Sequence, residues 1–292
     1  MIAAQSVARK ALIPLSGLLL FLQSALVITG GAVRLTGSGL GCPTWPECVP
    51  GSYTPVPGQE QGALHAWIEF GNRLLTFALL FAALATLISI LASRRRDLRL
   101  LGALQILGIL AQGLLGGITV LTDLNPIAVG SHLLLSILLI AAATSLHSRR
   151  RTPFVRTSSI SPEIARLSIG HINLAFLAIV IGAIVTGTGP HAGDADAPRL
   201  NLDFSDITRV HSATVWLLLI VTFFFLRAKS LSFETKKWLR IFIALAITQG
   251  AIGYIQYRLG LPELLVGFHL LGSVLVYIAA WKVRLSIVRK RA

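Results

Sequence analysis

The chain has 292 residues, 54% of them hydrophobic and 13% charged, with a mean hydropathy of +0.75. A soluble domain carries roughly 25% charged residues, so a water-soluble globule is excluded and a polytopic membrane protein is expected. The formal net charge of +14 would suit nucleic acid only if it were gathered on one face. It is spread over alternate loops instead, so nucleic acid is not an expected partner.

Apolar runs near 20 residues long place eight spans, at about 12–33, 67–92, 99–121, 127–147, 167–188, 208–226, 238–257 and 264–283. The first run is long and no small-x-small cleavage pattern ends it, so it reads as a retained span and not a secretory signal. Arg9 and Lys10, Arg94–Arg96 with Arg99, Arg149–Arg151 with Arg156, the run from Arg227 to Arg240 and the tail from Lys282 to Arg291 fall on alternate loops. The positive-inside rule makes those loops, and both termini, cytoplasmic. That side then holds 21 of the 26 basic residues and only the acids Asp97, Glu163 and Glu234, while the other side holds five basic residues and nine acids. Anionic lipid is the expected partner of the basic loops.

Cys42 and Cys48 lie in "GLGCPTWPECVPGS", in the outward loop 34–66. Disulfides persist on that side, and the intervening prolines bend the chain enough to close a small ring. Free thiols and a metal site are the alternatives, although a metal would want further Cys or His nearby. Spacing alone does not separate a structural pair from a redox-active one.

An internal repeat organises the rest. "AQGLLGGITVLTDLNPIAVGSHLLLS" (111–136) overlays "TQGAIGYIQYRLGLPELLVGFHLLGS" (248–273), matching Gln112 with Gln249, Gly116 with Gly253, Leu124 with Leu261 and His132 with His269. "GAVRLTGSGLG" (31–41) resembles "GAIVTGTGPHAG" (182–193). The expected fold is therefore all-α. Two tandem four-helix bundles, 1–147 and 167–292, are joined by a cytoplasmic linker, 148–166. An even number of spans in each makes them parallel repeats about an axis along the membrane normal. The long outward loops, 34–66 and 189–207, read as lids.

Three histidines sit inside apolar runs at similar depth: His132, His211 and His269. His211 and His269, on two helices of one bundle, suit the two axial positions of a haem iron. Ser136 and Ser273 each follow a histidine by four residues, which puts them in reach of a second bond to the imidazole. His147 and His171 read as solvated at cytoplasmic span ends. His191 lies in the second outward loop. The first bundle differs: its second span opens with "HAWIEFGNRLL", which places Glu69, Asn72 and Arg73 on one helix face. A Glu69–Arg73 pair reaching the surface is one reading; a carboxyl facing a ligand cavity as an acid/base or steering group is the other, and the favoured one. His65, two turns above Asn72, is either a helix cap or a replacement ligand.

At these residues the chain resembles the haem A synthase family, which oxidises the C8 methyl of haem O to the formyl group of haem A. The resemblance is carried by "GGAVRLTGSGLGCPTWPEC", "EFGNR", "GSHLLLS", "VHSATVW" and "GFHLLGS", and it covers essentially the whole chain. It implies one haem b held by His211 and His269 in the C-terminal bundle. It places substrate haem O in the N-terminal bundle near His132, Asn72 and Arg73, makes Glu69 the catalytic carboxyl, and pairs Cys42 with Cys48 in a disulfide. Asn72 stands where many members carry a fourth histidine, a variant resembling the actinobacterial branch, and the later outward loop lacks the second cysteine pair. The implied setting is a bacterial cell membrane. The implied partners are haem O, with the enzyme that makes it and a second copy of the chain as further candidates. The electron donor is not specified. A b-type cytochrome passing electrons from quinol to an outside acceptor is the competing reading, and a small-solute transporter a third.

Overall fold

The computed structural model describes residues 2–152, 155–156, 160–229 and 231–290. Residues 153–154 and 157–159 of the expected linker, and Arg291 of the basic tail, lie outside the described residues. Eight helices follow one another: α1 (Ile2–Leu35), α2 (Ala63–Ala92), α3 (Arg99–Leu121), α4 (Pro126–Arg149), α5 (Pro162–Thr188), α6 (Phe204–Leu226), α7 (Phe233–Arg258) and α8 (Glu263–Val288). All eight are long and apolar enough to cross a membrane. The expected all-helical fold is what the chain forms, apart from an antiparallel pairing of β1 (Val155–Arg156) with β2 (Arg289–Lys290).

Helix starts follow local chemistry. Asn125 accepts a hydrogen bond from the Ile127 amide ahead of Pro126, Asp203 accepts from Asp206, and Ser232 accepts from Thr235, so donors left free by each first turn are satisfied. Several helices overrun the apolar windows of the sequence. α1 begins at Ile2, where Ser89 Oγ donates to the Ala8 carbonyl at 2.7 Å. α5 begins at Pro162, so His171 lies more than two turns inside it. His171 is wholly buried between the rings of Phe242 and Phe225, which corrects the expectation that it is solvated. His147 is likewise packed: it meets Ser16 Oγ at 3.1 Å and lies over Gly17.

Helices α1, α4, α5 and α8 form the centre, with α1 against α4 and α8, and α5 against α8 and α4. Their shared core includes Val27, Ile137, Ile140, Ala141, Ala175, Ala178, Val274, Tyr277 and Ala280. Gly31 lets α1 take Leu270 of α8, because a Cβ there would fall 2.2 Å from Leu270 Cδ2. α2 and α3 flank one side of this centre, and α6 and α7 the other. The outward faces carry Phe21, Phe81, Leu107 and Leu217, all largely exposed, as lipid-facing surface requires.

Polar groups within the helices are mostly tied down. Gln23 Nε2 donates to Gln105 Oε1 at 2.8 Å, and Gln105 Nε2 donates to the Leu139 carbonyl at 3.0 Å, linking α1, α3 and α4. The turns closing α3–α4 and α7–α8 repeat one device: Leu124 and Leu261, matched by the repeat, both adopt a left-handed backbone (φ 60° and 63°), which is uncommon outside glycine. Leu124 is then buried against Gly39 and Gly193 of the two long loops, and those loops join through the Gly39 amide and the Gly193 carbonyl at 2.8 Å.

Replacing Gln105 by Leu breaks both bonds of its relay, each worth about 1 kcal/mol, and is expected to lower the thermal unfolding midpoint in detergent. Adding Gln23→Leu should then cost little more, because its partner is already gone.

Candidate functional site

A cavity of ≈ 2170 Å³ runs through the molecule between the helices, reaching from Glu69, Asn72 and His132 on one side to His211 and His269 on the other. Small-molecule pockets typically measure about 300–1,000 Å³, so this space takes more than one ordinary ligand. Its wall is apolar, with few polar groups aimed inward.

Each histidine in that wall rests against a glycine of a neighbouring helix. A Cβ on Gly116 would lie 3.4 Å from His132 Cε1, one on Gly182 3.2 Å from His211 Cε1, and one on Gly253 3.3 Å from His269 Cε1. The three rings are therefore seated in notches on α3, α5 and α7 that a larger residue would narrow. Nδ1 of all three is buried with no hydrogen bond completed. Nε2 is the nitrogen left open to the cavity. The expected serine partners do not reach the rings. Ser136 Oγ donates to the carbonyl of His132, and Ser273 Oγ to that of Leu270, because a helical serine finds its own backbone first. Ser136 also receives a bond from Gln112, whose Nε2 reaches the His132 carbonyl at 3.0 Å as well.

His211 and His269 face one another with ring centroids 6.4 Å apart and planes at 75°. Two metal–imidazole bonds of about 2 Å each, plus half a ring on either side, span about 6 Å. Their separation and open Nε2 atoms fit a six-coordinate iron between them.

The first half is built differently. Asn72 lies against Gly30, and Thr29 Oγ1 donates to Asn72 Oδ1 at 2.7 Å. With the carbonyl end of the amide engaged, the Nδ2 donors remain for the cavity. Glu69 is buried, its side chain 8% exposed. Its Oε1 takes Arg73 Nη2 at 2.6 Å, and its Oε2 takes the Cys42 amide at 2.6 Å. Both sequence readings of Glu69 hold in part: the intrahelical pair exists, but it lies inside the protein and lines the cavity, not the surface. A carboxylate offers about four acceptor positions, and Oε2 has used one of its two.

Arg73 does more than pair with Glu69. Its guanidinium also donates to the carbonyls of Cys42, Thr44 and Glu47 at 2.9, 3.1 and 3.1 Å. It thereby fastens the loop that the Cys42–Cys48 disulfide closes. Gly41 brings this loop onto α2, since a Cβ there would sit 2.3 Å from the His65 carbonyl oxygen. Trp45 then lies flat over Gly117 of α3 and lines the cavity. Sequence reasoning missed Trp45 as a wall of this site; its place between the two cysteines was the available signal. His65 is turned to Ser38 Oγ at 2.9 Å and is not part of the cavity wall. His191 reaches the Leu261 carbonyl at 2.7 Å and holds the second loop down.

Comparison with known proteins gives a consistent result. A family model described as cytochrome oxidase assembly protein matches residues 15–198. A heme A synthase of Shewanella oneidensis is 31% identical over a stretch covering 56% of this chain and 51% of the relative, so this chain spans about half of that protein in the match. Heme A synthases of Nitrosomonas eutropha and Sinorhizobium fredii are 26% and 28% identical, with 88% and 90% of this chain covered and 88% and 87% of theirs.

Arg73→Leu strands a buried carboxylate and releases three loop carbonyls. A loss of about 3 kcal/mol or more in unfolding stability is expected. Glu69→Gln, which keeps an acceptor for the Cys42 amide, should cost less. Thermal unfolding of both variants in one detergent checks the order.

Proposed function

We propose, for a chain that belongs to the cytochrome oxidase assembly protein family, that it is a haem A synthase: a multi-pass membrane enzyme that oxidises the C8 methyl of haem O to a formyl group. The relatives named heme A synthase support the activity along nearly the whole chain. The observation that carries it in this molecule is the unequal equipment of one large cavity. Two imidazoles face each other at 6.4 Å on one side. One imidazole, an oriented amide and a buried carboxylate line the other.

In this reading residues 1–147 form the substrate half and residues 167–292 the cofactor half, related by a two-fold axis along the membrane normal. His211 and His269 would hold one haem b, and Gly182 and Gly253 keep their rings in place. When bound, that haem supplies a one-electron store that can be filled and emptied without changing its ligands. His132 would hold haem O in the first half. Asn72 offers N–H donors there and no strong ligand. Glu69 would take a proton at the free acceptor position on Oε2. Arg73 and the disulfide loop hold that carboxyl still, and Trp45 helps to exclude water above it. The long loops face outward and both termini lie in the cytoplasm, an arrangement that suits a disulfide and the distribution of basic residues. The enzyme that makes haem O is the natural donor of substrate. The b-type cytochrome reading explains the His211–His269 pair, yet it gives no use to Glu69, Asn72 or the second half of the cavity.

Haem extracted from cells that make haem O and express this chain should contain haem A. Folded wild-type protein yielding only haem B and haem O would refute the assignment. Glu69→Gln should stop conversion or leave a hydroxylated intermediate while the reduced-minus-oxidised spectrum of the C-terminal haem stays unchanged. An electron carrier would keep its turnover.

A further inference from the structure

Arg34 is a cation in the cavity wall with no acidic partner. It stands in the last turn of α1, partly buried, and reaches across to the other half, where Nη2 donates to the Thr186 carbonyl at 2.5 Å near the end of α5. A guanidinium has five donors, and this bond uses one. Ion pairs among the described residues join Arg73 to Glu69, Arg95 to Asp97 and Arg209 to Asp206; none involves Arg34. Glu69 is the acid that lines the cavity, and Arg73 already holds it. Arg199, anchored by the carbonyls of Ala197 and Pro190, is a charge of the same sign that acts on Arg34. The C-terminal end of α1 alone favours a cation by only about 0.3–1 kcal/mol. That does not account for a second guanidinium brought up beside a shielded one.

We infer that Arg34, with Arg199 behind it, is the binding site for a carboxylate carried by the macrocycle that occupies the cavity. The inference rests on the haem reading of the preceding section. A propionate is the matching chemistry: an anion on the edge of a flat apolar body, in a cavity whose walls are apolar apart from a few inward groups. A guanidinium fork receives a carboxylate through two parallel hydrogen bonds, which a lysine in the same place would not do. Because Arg34 joins α1 to α5, the site lies between the halves and at their long-loop end. It fixes which edge of a macrocycle points toward the loops.

The test compares ferric protoporphyrin IX with its dimethyl ester, which lacks the charges. Both are titrated by absorbance into the full chain in detergent. The wild type should prefer the free acid. Arg34→Gln should lose that preference by about tenfold or more with its affinity for the ester unchanged, and Arg34→Lys should keep part of it. Repeating the titration in His132→Ala and in His269→Ala tells whether the carboxylate belongs to the substrate or to the resident haem. Arg34→Gln that keeps the wild-type preference, or that weakens acid and ester equally, would overturn the inference. A wild type that binds neither porphyrin would instead bring down the haem reading on which it stands.

Discussion

Hydrocarbon offers no water to a polar side chain, so every polar group on these helices must find a partner inside the protein or be kept for a cargo. Most find one. Gln23 and Gln105 satisfy each other and the Leu139 carbonyl. Thr86 and Thr222 bond back to their own helices. Glu69 and Arg73 bond to each other and to the disulfide loop, with one acceptor position left on Glu69 Oε2. The groups left over are concentrated around one cavity: the imidazoles of His132, His211 and His269, the Oε1 atoms of Gln112 and Gln249, and the guanidinium of Arg34. His171, with both ring nitrogens unpartnered, and Thr144, with its hydroxyl unpartnered, stand apart, buried away from the cavity wall; nothing in the structure explains them.

The spans were legible because hydropathy over roughly 20 residues is a strong signal. Their ends were not, because helices continue past the apolar core into the interface. α5 starting at Pro162 and not near residue 167 is what moved His171 from the surface to the interior. The repeat was legible in Gly116 with Gly253 and His132 with His269, but its meaning was not. That each glycine seats the ring of its own repeat's histidine is a contact between helices, and spacing along one chain carries no record of it. Glu69, Asn72 and Arg73 were found from helical periodicity. The three loop carbonyls gathered by Arg73 were invisible, since backbone acceptors have no sequence signature. The serines at i+4 from the histidines were a misleading signal of the same origin, because helical spacing puts them equally close to their own backbone.

In the proposed reading the two halves use the same scaffold for unequal tasks. Where the second half sets His211 against Gly182, the first sets Asn72 against Gly30 and ties its carbonyl oxygen to Thr29. In that reading, exchanging an imidazole for an amide would replace an iron ligand by a hydrogen-bond donor, and the Glu69–Arg73 clamp adds a carboxylate to the same cavity. In this account the second half grips a permanent group from both sides. The first half holds its guest from one side and leaves the other for chemistry. Arg34 would orient a guest between them through its periphery, a contact independent of the metal.

That division is the central claim, and the spin state of iron reads it directly. Electron paramagnetic resonance of the oxidised wild-type protein with both sites filled should show one low-spin signal from two imidazoles and one high-spin signal of equal weight. Asn72→His, by restoring a second imidazole, should convert the high-spin signal to low-spin. Two low-spin signals in the wild type would contradict the account, because the first half would then be as closed to chemistry at its iron as the second.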